Sequence, residues 1–166
     1  MAAALLGRRL DDAGVKAGVS SAGLLFDGRP AAEHGVTVMA DRGLDTSGHR
    51  SRLLQPDLVA GADIVIGMAR THVREVVALV PEVWGRAFTL KEIVRRGEER
   101  GGRETGEPLD AWLARLQAGR RLPDLLGDSD DDDVADPIGG PRRHYERTAD
   151  ELDDLTTRLA RLLGGG

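Results

Sequence analysis

The sequence predicts an α/β domain in which a short parallel sheet is flanked by helices, and two apolar runs carry this prediction. Residues 62–68, ADIVIGM, form a continuous apolar run of strand length, which is typical of a parallel strand covered on both faces. Residues 86–90, RAFTL, form a second such run. Between them, valines at positions 73, 76, 77 and 80 share one helix face until Pro81 ends the pattern. Strands that alternate with helices indicate a parallel sheet.

The remaining segments add one more β-prone run and several helices. Residues 2–12 are strong helix formers with Leu6, Leu10 and Ala13 on one face, and Val15–Ala22 follows as a further candidate strand. Four more helices are predicted from a proline or a capping serine at their start, and they open at Pro30, Ser47 (ending at Leu54), Pro108 and Pro141. The polar, glycine-rich residues 95–108 and the acidic residues 127–141 predict surface loops.

Composition excludes several classes of protein. At 166 residues the chain predicts a single domain, residues 1–166, without repeats or a dividing linker. A net charge of −5, five aromatic residues and no basic stripe argue against a nucleic-acid partner. No apolar run reaches membrane-spanning length and no secretory signal is recognisable, so we expect a cytoplasmic protein without a membrane partner.

The absence of cysteine excludes disulfides, thiolate metal sites and thiol catalysis within these residues. The four consecutive aspartates 130–133 predict a solvated charge run rather than a metal site, because adjacent carboxylates do not converge on one ion. We expect no metal and no cofactor.

Five segments in register resemble the low-molecular-weight protein-tyrosine phosphatase family, and most closely its bacterial branch. They are SSAGL, SGHRSR, ADIVIGMAR, FTLKE and DDVADPIGGP, and together they span nearly the whole chain. The resemblance implies a small α/β phosphatase fold. It also implies a cysteine thiolate in a C-x5-R loop at a helix N-terminus, where backbone N–H groups and the arginine hold the phosphoryl oxygens.

The same resemblance assigns roles to three residues of this chain. Asp136, followed by proline, matches the general acid that protonates the leaving group. Ser21 and His49 match positions whose side chains brace the phosphate loop. Arg50 and Arg52 either add positive potential near the phosphate or lie on the surface without a role.

The family's phosphate loop comes directly before a helix that resembles MAAALL, so its first strand, cysteine and arginine fall outside these residues. We therefore expect an N-terminally truncated chain, inactive as given, whose full-length form hydrolyses phosphorylated proteins. Loss of a central strand would leave strand edges exposed, through which the chain could form a homodimer. A non-catalytic pseudophosphatase that binds or regulates is one alternative. An arsenate-reductase-like relative, which needs cysteines, is another.

The residues after Asp136 leave the substrate open. Ile138, Gly139 and Gly140 stand where relatives that act on phosphotyrosine often carry an aromatic wall, although Tyr145 follows soon after. Bacterial relatives with a similar GGP ending include some thought to prefer other phosphorylated groups such as phosphoarginine. The expected partner is thus a phosphorylated protein, on tyrosine or on another residue.

Overall fold

A computed structural model describes residues 1–165. Its helices are α1 (Ala2–Asp12), α2 (Glu33–Ala40), α3 (Pro56–Ala60), α4 (Arg70–Leu79), α5 (Leu90–Arg100), α6 (Leu109–Gln117) and α7 (Arg142–Gly164), with 3₁₀ turns at Pro81–Arg86 and Leu122–Leu125. The strands β1 (Val65–Gly67) and β2 (Ala87–Thr89) pair in parallel, with Ile66 opposite Phe88. The predicted α/β class with a short parallel sheet is confirmed.

The chain divides into two compact units. The first contains Met1–Leu54 and Ala135–Ala160. The second contains Gln55–Val134 and resumes at Arg161. Helix α7 therefore contributes most of its length to the first unit and its last turn to the second.

In the first unit, α1 and α2 pack with the long part of α7. Val38, Tyr145 and Ala149 form one buried cluster with Met1 against it. Leu5 and Leu10 are the buried residues of α1, so the predicted face of Leu6, Leu10 and Ala13 is wrong at two of its positions. Leu5 and Leu10 lie on the side of α1 that faces the core of the unit.

In the second unit, the two strands lie beside α4 and α5, and α6 packs on α5 and on the turn Pro81–Arg86. The largest fully buried side chains here are Trp112, Phe88, Leu90, Ile93 and Leu116. Gly67 ends β1 where a Cβ atom would lie 3.0 Å from both His72 Cβ and Val73 Cγ2, which lets the strand turn tightly into α4. Strand β2 is thus fully buried, whereas Val65 and Ile66 of β1 are half-buried, so the predicted cover on both faces holds for β2 only.

Three predicted elements differ in the structure. Val15–Ala22 is an exposed segment without a ladder, because no strand within residues 1–165 lies alongside it to supply backbone partners. Only the adjoining Gly23 forms a bridge, with Leu53. The predicted helix from Ser47 to Leu54 is absent, because the backbone of residues 50–53 pairs instead with the segment 23–30. The first helix after Pro30 begins three residues later than the proline, at Glu33.

Residues 95–108 also differ from the prediction, since their first part lies in α5. The helix begins at Leu90 and is capped by Thr89, whose Oγ1 accepts a hydrogen bond from Glu92 N at 3.1 Å. Gly97, which suggested a loop, lies inside the helix where a Cβ would come within 2.7 Å of Leu162 Cδ1. The glycine therefore permits close packing of the chain's last turn on α5. No helix within residues 1–165 is long and apolar enough to cross a membrane.

Candidate active site

A cavity of about 440 Å³ lies in the first unit at the beginning of α1. Its lining comes from the first turn of the helix, from the exposed segment before Gly23 and from the loop before Leu53, and comprises Ala3, Ala4, Val19, Ser20, Ser21, His49, Arg50 and Arg52. Ser21 and His49, which the resemblance singled out, thus lie around one space. The same space includes both arginines whose role the sequence left open.

The first turn of α1 offers backbone donors to this cavity. The first N–H groups of a helix have no partner within it, and the residue before α1 makes no side-chain capping bond. Together with the helix dipole, these groups favour a negative charge. Ala3 and Ala4 have small side chains, so that a ligand can approach the backbone closely.

The loop that carries His49 is held by its own hydrogen bonds. Asp45 Oδ1 accepts from Ser47 N at 2.9 Å and from Ser47 Oγ at 2.6 Å, and these bonds lower the pKa of Asp45. His49 N donates to Thr46 O at 3.1 Å. The loop is therefore folded back on itself directly before His49, which leaves the imidazole exposed beside the cavity.

Backbone pairing then fixes the two arginines. Gly23 N donates to Arg52 O at 2.8 Å, and Ser51 N donates to Arg29 O at 2.8 Å. Arg52 Nη2 donates to Ser21 O at 3.2 Å, which links the two walls of the cavity. Among the described residues that line the space, two are arginines and none is a carboxylate. The cavity is therefore suited to an anion.

Asp136 lies in the same unit on the loop before α7, and it is exposed. Its Oδ1 accepts from Ile138 N at 3.0 Å, while Gly140 N donates to Pro137 O at 2.9 Å. Gly139 occupies the left-handed region with φ 75°, so residues 137–140 form a turn that needs glycine at its third position. Thr148 Oγ1 donates to Ala135 O at 3.1 Å and ties the loop to α7. Asp136 is not among the residues that line the cavity.

The acidic run before Asp136 belongs to the second unit and is solvated as predicted only at Asp130 and Asp131, which are exposed. Asp132 is buried and its two oxygens accept from Arg70 Nε at 2.7 Å and from Arg95 Nη2 at 2.8 Å. Asp133 accepts from Arg70 N at 2.7 Å, at the beginning of α4. The prediction of solvation is wrong for Asp132 and Asp133, because their partners come from α4 and α5, far away in sequence. Within residues 1–165 no group of histidine, cysteine or acidic residues is placed to hold a metal ion.

Comparison with known proteins identifies the family. The profile described as low molecular weight phosphotyrosine protein phosphatase matches residues 1–111. A protein-arginine-phosphatase of Geobacillus stearothermophilus is 31% identical over 165 residues, which cover 98% of this chain and 86% of that protein. A probable low molecular weight protein-tyrosine-phosphatase of Ralstonia solanacearum is 33% identical over 120 residues, covering 72% of this chain and 80% of that protein.

A solved structure gives the same result. The low molecular weight protein tyrosine phosphatase from T. tengcongensis superposes with a TM-score of 0.72 at 29% identity, covering 98% of this chain and 88% of that one. The fold is that of a small α/β phosphatase. The chain belongs to the low-molecular-weight phosphotyrosine protein phosphatase family.

Sequence reasoning did not single out four of the residues around the cavity, Ala3, Ala4, Val19 and Ser20. They contribute backbone and small side chains, which carry no distinctive chemical signal.

Proposed function

We propose that this chain forms the phosphate-binding body of a cytoplasmic phosphoprotein phosphatase that works through a cysteinyl-phosphate intermediate. The observation that carries the proposal is the cavity at the start of α1, which combines free backbone donors with Arg50 and Arg52. Because the 166 residues contain no cysteine, the nucleophile has to come from a segment outside them. The family resemblance indicates a strand and a C-x5-R loop leading into α1.

The proposed reaction has two steps. The thiolate attacks the phosphorus, the bond from phosphorus to the leaving atom breaks, and Asp136 donates its proton to that atom. Water then attacks the phosphocysteine, with the same carboxylate as base, and releases inorganic phosphate. The backbone donors of the loop and of the α1 N-terminus hold the phosphoryl oxygens while negative charge develops on them.

Ser21 and His49 are proposed to brace the phosphate loop. Their placement around the cavity supports this role, because side chains there can donate to backbone carbonyls of a loop entering α1. Arg50 and Arg52 would add positive potential that attracts the phosphorylated substrate.

For the substrate, we propose phosphoarginine in a protein ahead of phosphotyrosine. The arginine phosphatase of Geobacillus stearothermophilus matches almost the whole chain, and Ile138 with two glycines replaces an aromatic wall. A guanidine leaving group carries N–H donors that polar groups can hold by hydrogen bonds, so its recognition does not require the aromatic wall that a phenol ring uses.

The test compares three proteins on phosphoarginine and phosphotyrosine peptides. They are the chain as given, the chain extended by the strand and C-x5-R loop of the Geobacillus relative, and that extension with its cysteine changed to serine. We expect turnover only from the second, with phosphoarginine preferred. Turnover by the chain as given, abolished by Asp136→Ala, would contradict the missing-nucleophile account.

The absence of cysteine also favours a second candidate, a non-catalytic protein that binds phosphorylated partners. In that case a folded extended chain would bind phosphopeptides but not turn them over. The chain would then cover its exposed segment Val15–Ala22 by pairing with a second copy, which light scattering of the purified chain can detect as a dimer.

A further inference from the structure

A second cavity, entirely within the second unit, is built mainly of arginines. Its volume is about 90 Å³, which suits a small polyatomic ion rather than an organic ligand. Trp84 and Leu125 form part of the wall. The charged residues that line it are Arg70, Arg95, Arg96, Arg120 and Arg121, together with Glu92, Asp124 and Asp132. Five positive and three negative charges leave an excess of two positive charges around a small space.

The carboxylates do not cancel the charge of all the arginines, because each buried carboxylate already accepts hydrogen bonds from two of them. Glu92 Oε1 accepts from Arg120 Nε at 2.6 Å and from Arg96 Nε at 3.1 Å. Asp132 likewise bridges Arg70 and Arg95. Burial lowers the pKa of Arg120, and the charge of nearby Arg96 lowers it further, while Glu92 opposes both effects.

Several guanidinium nitrogens around the cavity are still available to a ligand. Arg70 uses Nε and Nη1, and Arg96 also uses Nε and Nη1, so that within residues 1–165 the Nη2 atom of each makes no hydrogen bond. Within residues 1–165, Nη1 of Arg121 also makes no hydrogen bond, since this side chain donates through Nε and Nη2. Planar guanidinium groups with free N–H pairs match the oxygens of a tetrahedral oxyanion.

The side of this cavity that Arg120 forms is rigid. Arg120 has only 2% of its side chain exposed, and its guanidinium carbon lies 4.0 Å from the ring centroids of both Trp84 and Phe88. Arg120 also donates to Ala87 O at 2.7 Å and to Trp84 O at 3.1 Å. A preorganised cationic wall binds an anion without first having to order its own side chains.

We propose that this arginine-lined cavity binds a free tetrahedral oxyanion of the phosphate type, at a site separate from the cavity at the start of α1. The excess of two positive charges, the free guanidinium nitrogens and the small volume all favour such an ion over a nucleotide or a phosphopeptide. The chain as a whole carries a net charge of −5, so this local positive charge is not a property of the general surface.

The test is a titration of the chain as given with inorganic phosphate at constant ionic strength, with chloride as the comparison ion. Calorimetry gives the affinity, and the part of the tryptophan fluorescence that Trp84→Phe removes, which excludes Trp112, reports on the cavity. Arg121→Gln is the main variant, because that side chain is 76% exposed and its removal should leave the fold intact. We expect phosphate affinity at the Trp84-linked site to fall about tenfold, since one charge-assisted donor is lost.

Asp124→Asn should change the phosphate affinity in the opposite direction. Asp124 engages Nη2 of Arg121 at 2.8 Å, so its neutralisation should free the guanidinium and tighten phosphate binding about threefold. Arg142→Gln, an exposed arginine of the first unit, is the matched charge control and should change nothing at this site. Arg50→Gln should remove binding at the α1 cavity and leave the Arg121-dependent binding in place.

The proposal fails if phosphate causes no change beyond that of chloride. It fails equally if all phosphate binding disappears in Arg50→Gln while Arg121→Gln and Asp124→Asn bind like the parent chain.

Discussion

Glu92 and Arg120 form a doubly hydrogen-bonded ion pair in the interior of the second unit. Arg120 Nε lies 2.6 Å from Oε1 and Nη2 lies 2.9 Å from Oε2, and both side chains are almost completely buried. Glu92 comes from α5 and Arg120 from the segment after α6, so the pair joins two regions that are far apart in sequence. A bidentate pair of this kind fixes the relative orientation of the two segments.

Removal of one partner of this pair should therefore be costly. We expect Glu92→Gln to lower the free energy of unfolding by about 3–5 kcal/mol, because an uncompensated guanidinium remains buried. Urea unfolding of the chain followed by circular dichroism measures the effect. Arg142→Gln breaks exposed ion pairs to Asp41 and Glu146 and serves as the comparison, with a much smaller loss. Equal losses in the two variants would show that the buried pair contributes no more to the free energy of unfolding than the exposed pairs do.

Acid should weaken the second unit through Asp132. Burial raises the pKa of Asp132, but hydrogen bonds from Arg95 and Arg70 outweigh it, so the pKa lies below the ordinary value. A lowered folded-state pKa stabilises the protein above the unfolded-state pKa of about 4, and this contribution disappears as the pH falls through the folded-state value. We expect Asp132→Asn to be less stable than the parent at pH 7 and to approach it below about pH 4.

The measurement for Asp132 is the urea midpoint at a series of pH values from 7 down to 3. Asp131→Asn is the control, because Asp131 is exposed and accepts from Arg95 through its backbone oxygen, which the substitution retains. Its difference from the parent should stay small throughout. A gap between Asp132→Asn and the parent that keeps its size at pH 3 would rule out the carboxylate as its source.

Catalysis in a form that carries the nucleophile should depend on Asp136. We expect Asp136→Asn to reduce kcat by about 10²–10⁴-fold, because a general acid contributes on that order. An asparagine oxygen can still accept the hydrogen bond from Ile138 N, so the turn is preserved. The loss in kcat/KM, which reports the first step and not the hydrolysis of the phosphocysteine, should shrink for p-nitrophenyl phosphate, whose leaving group needs little protonation. A uniform loss across leaving groups would instead indicate a structural effect, and Asp131→Asn controls for the change of charge.

The sequence could predict the elements whose signal is local. The valine spacing of α4 ends at Pro81 as expected, and β2 lies within the predicted run 86–90. Helix α7 begins directly after Pro141. In each case a period or a proline acts through neighbouring residues alone.

The remaining features depend on contacts between distant residues. The segment after Ser47 has an acceptable helix start, yet pairing of residues 50–53 with residues 23–30 overrides it. Burial of Asp132 follows from Arg70 and Arg95, and no pattern around the four aspartates reveals those partners. The arginine-lined cavity was missed for the same reason, because its charges come from four separate segments.

The turn after Asp136 gives a final prediction, in which alanine at two glycines of the same unit should have opposite effects on stability. Gly139 has φ 75°, where a side chain costs about 1 kcal/mol or more, so Gly139→Ala should destabilise the chain by roughly that amount. Gly7 lies within α1, and a Cβ there would meet nothing within 4 Å. Gly7→Ala should accordingly stabilise the chain by about 0.5–1 kcal/mol, as expected for alanine in a helix.

Urea unfolding of both glycine variants checks the stability, and turnover by the nucleophile-bearing form checks the site. Gly139→Ala should lower kcat, because the strained turn shifts the residues that follow Asp136, whereas Gly7→Ala should leave kcat nearly unchanged. If Gly139→Ala loses stability but retains full turnover, the turn serves folding alone and Asp136 does not depend on it for its position.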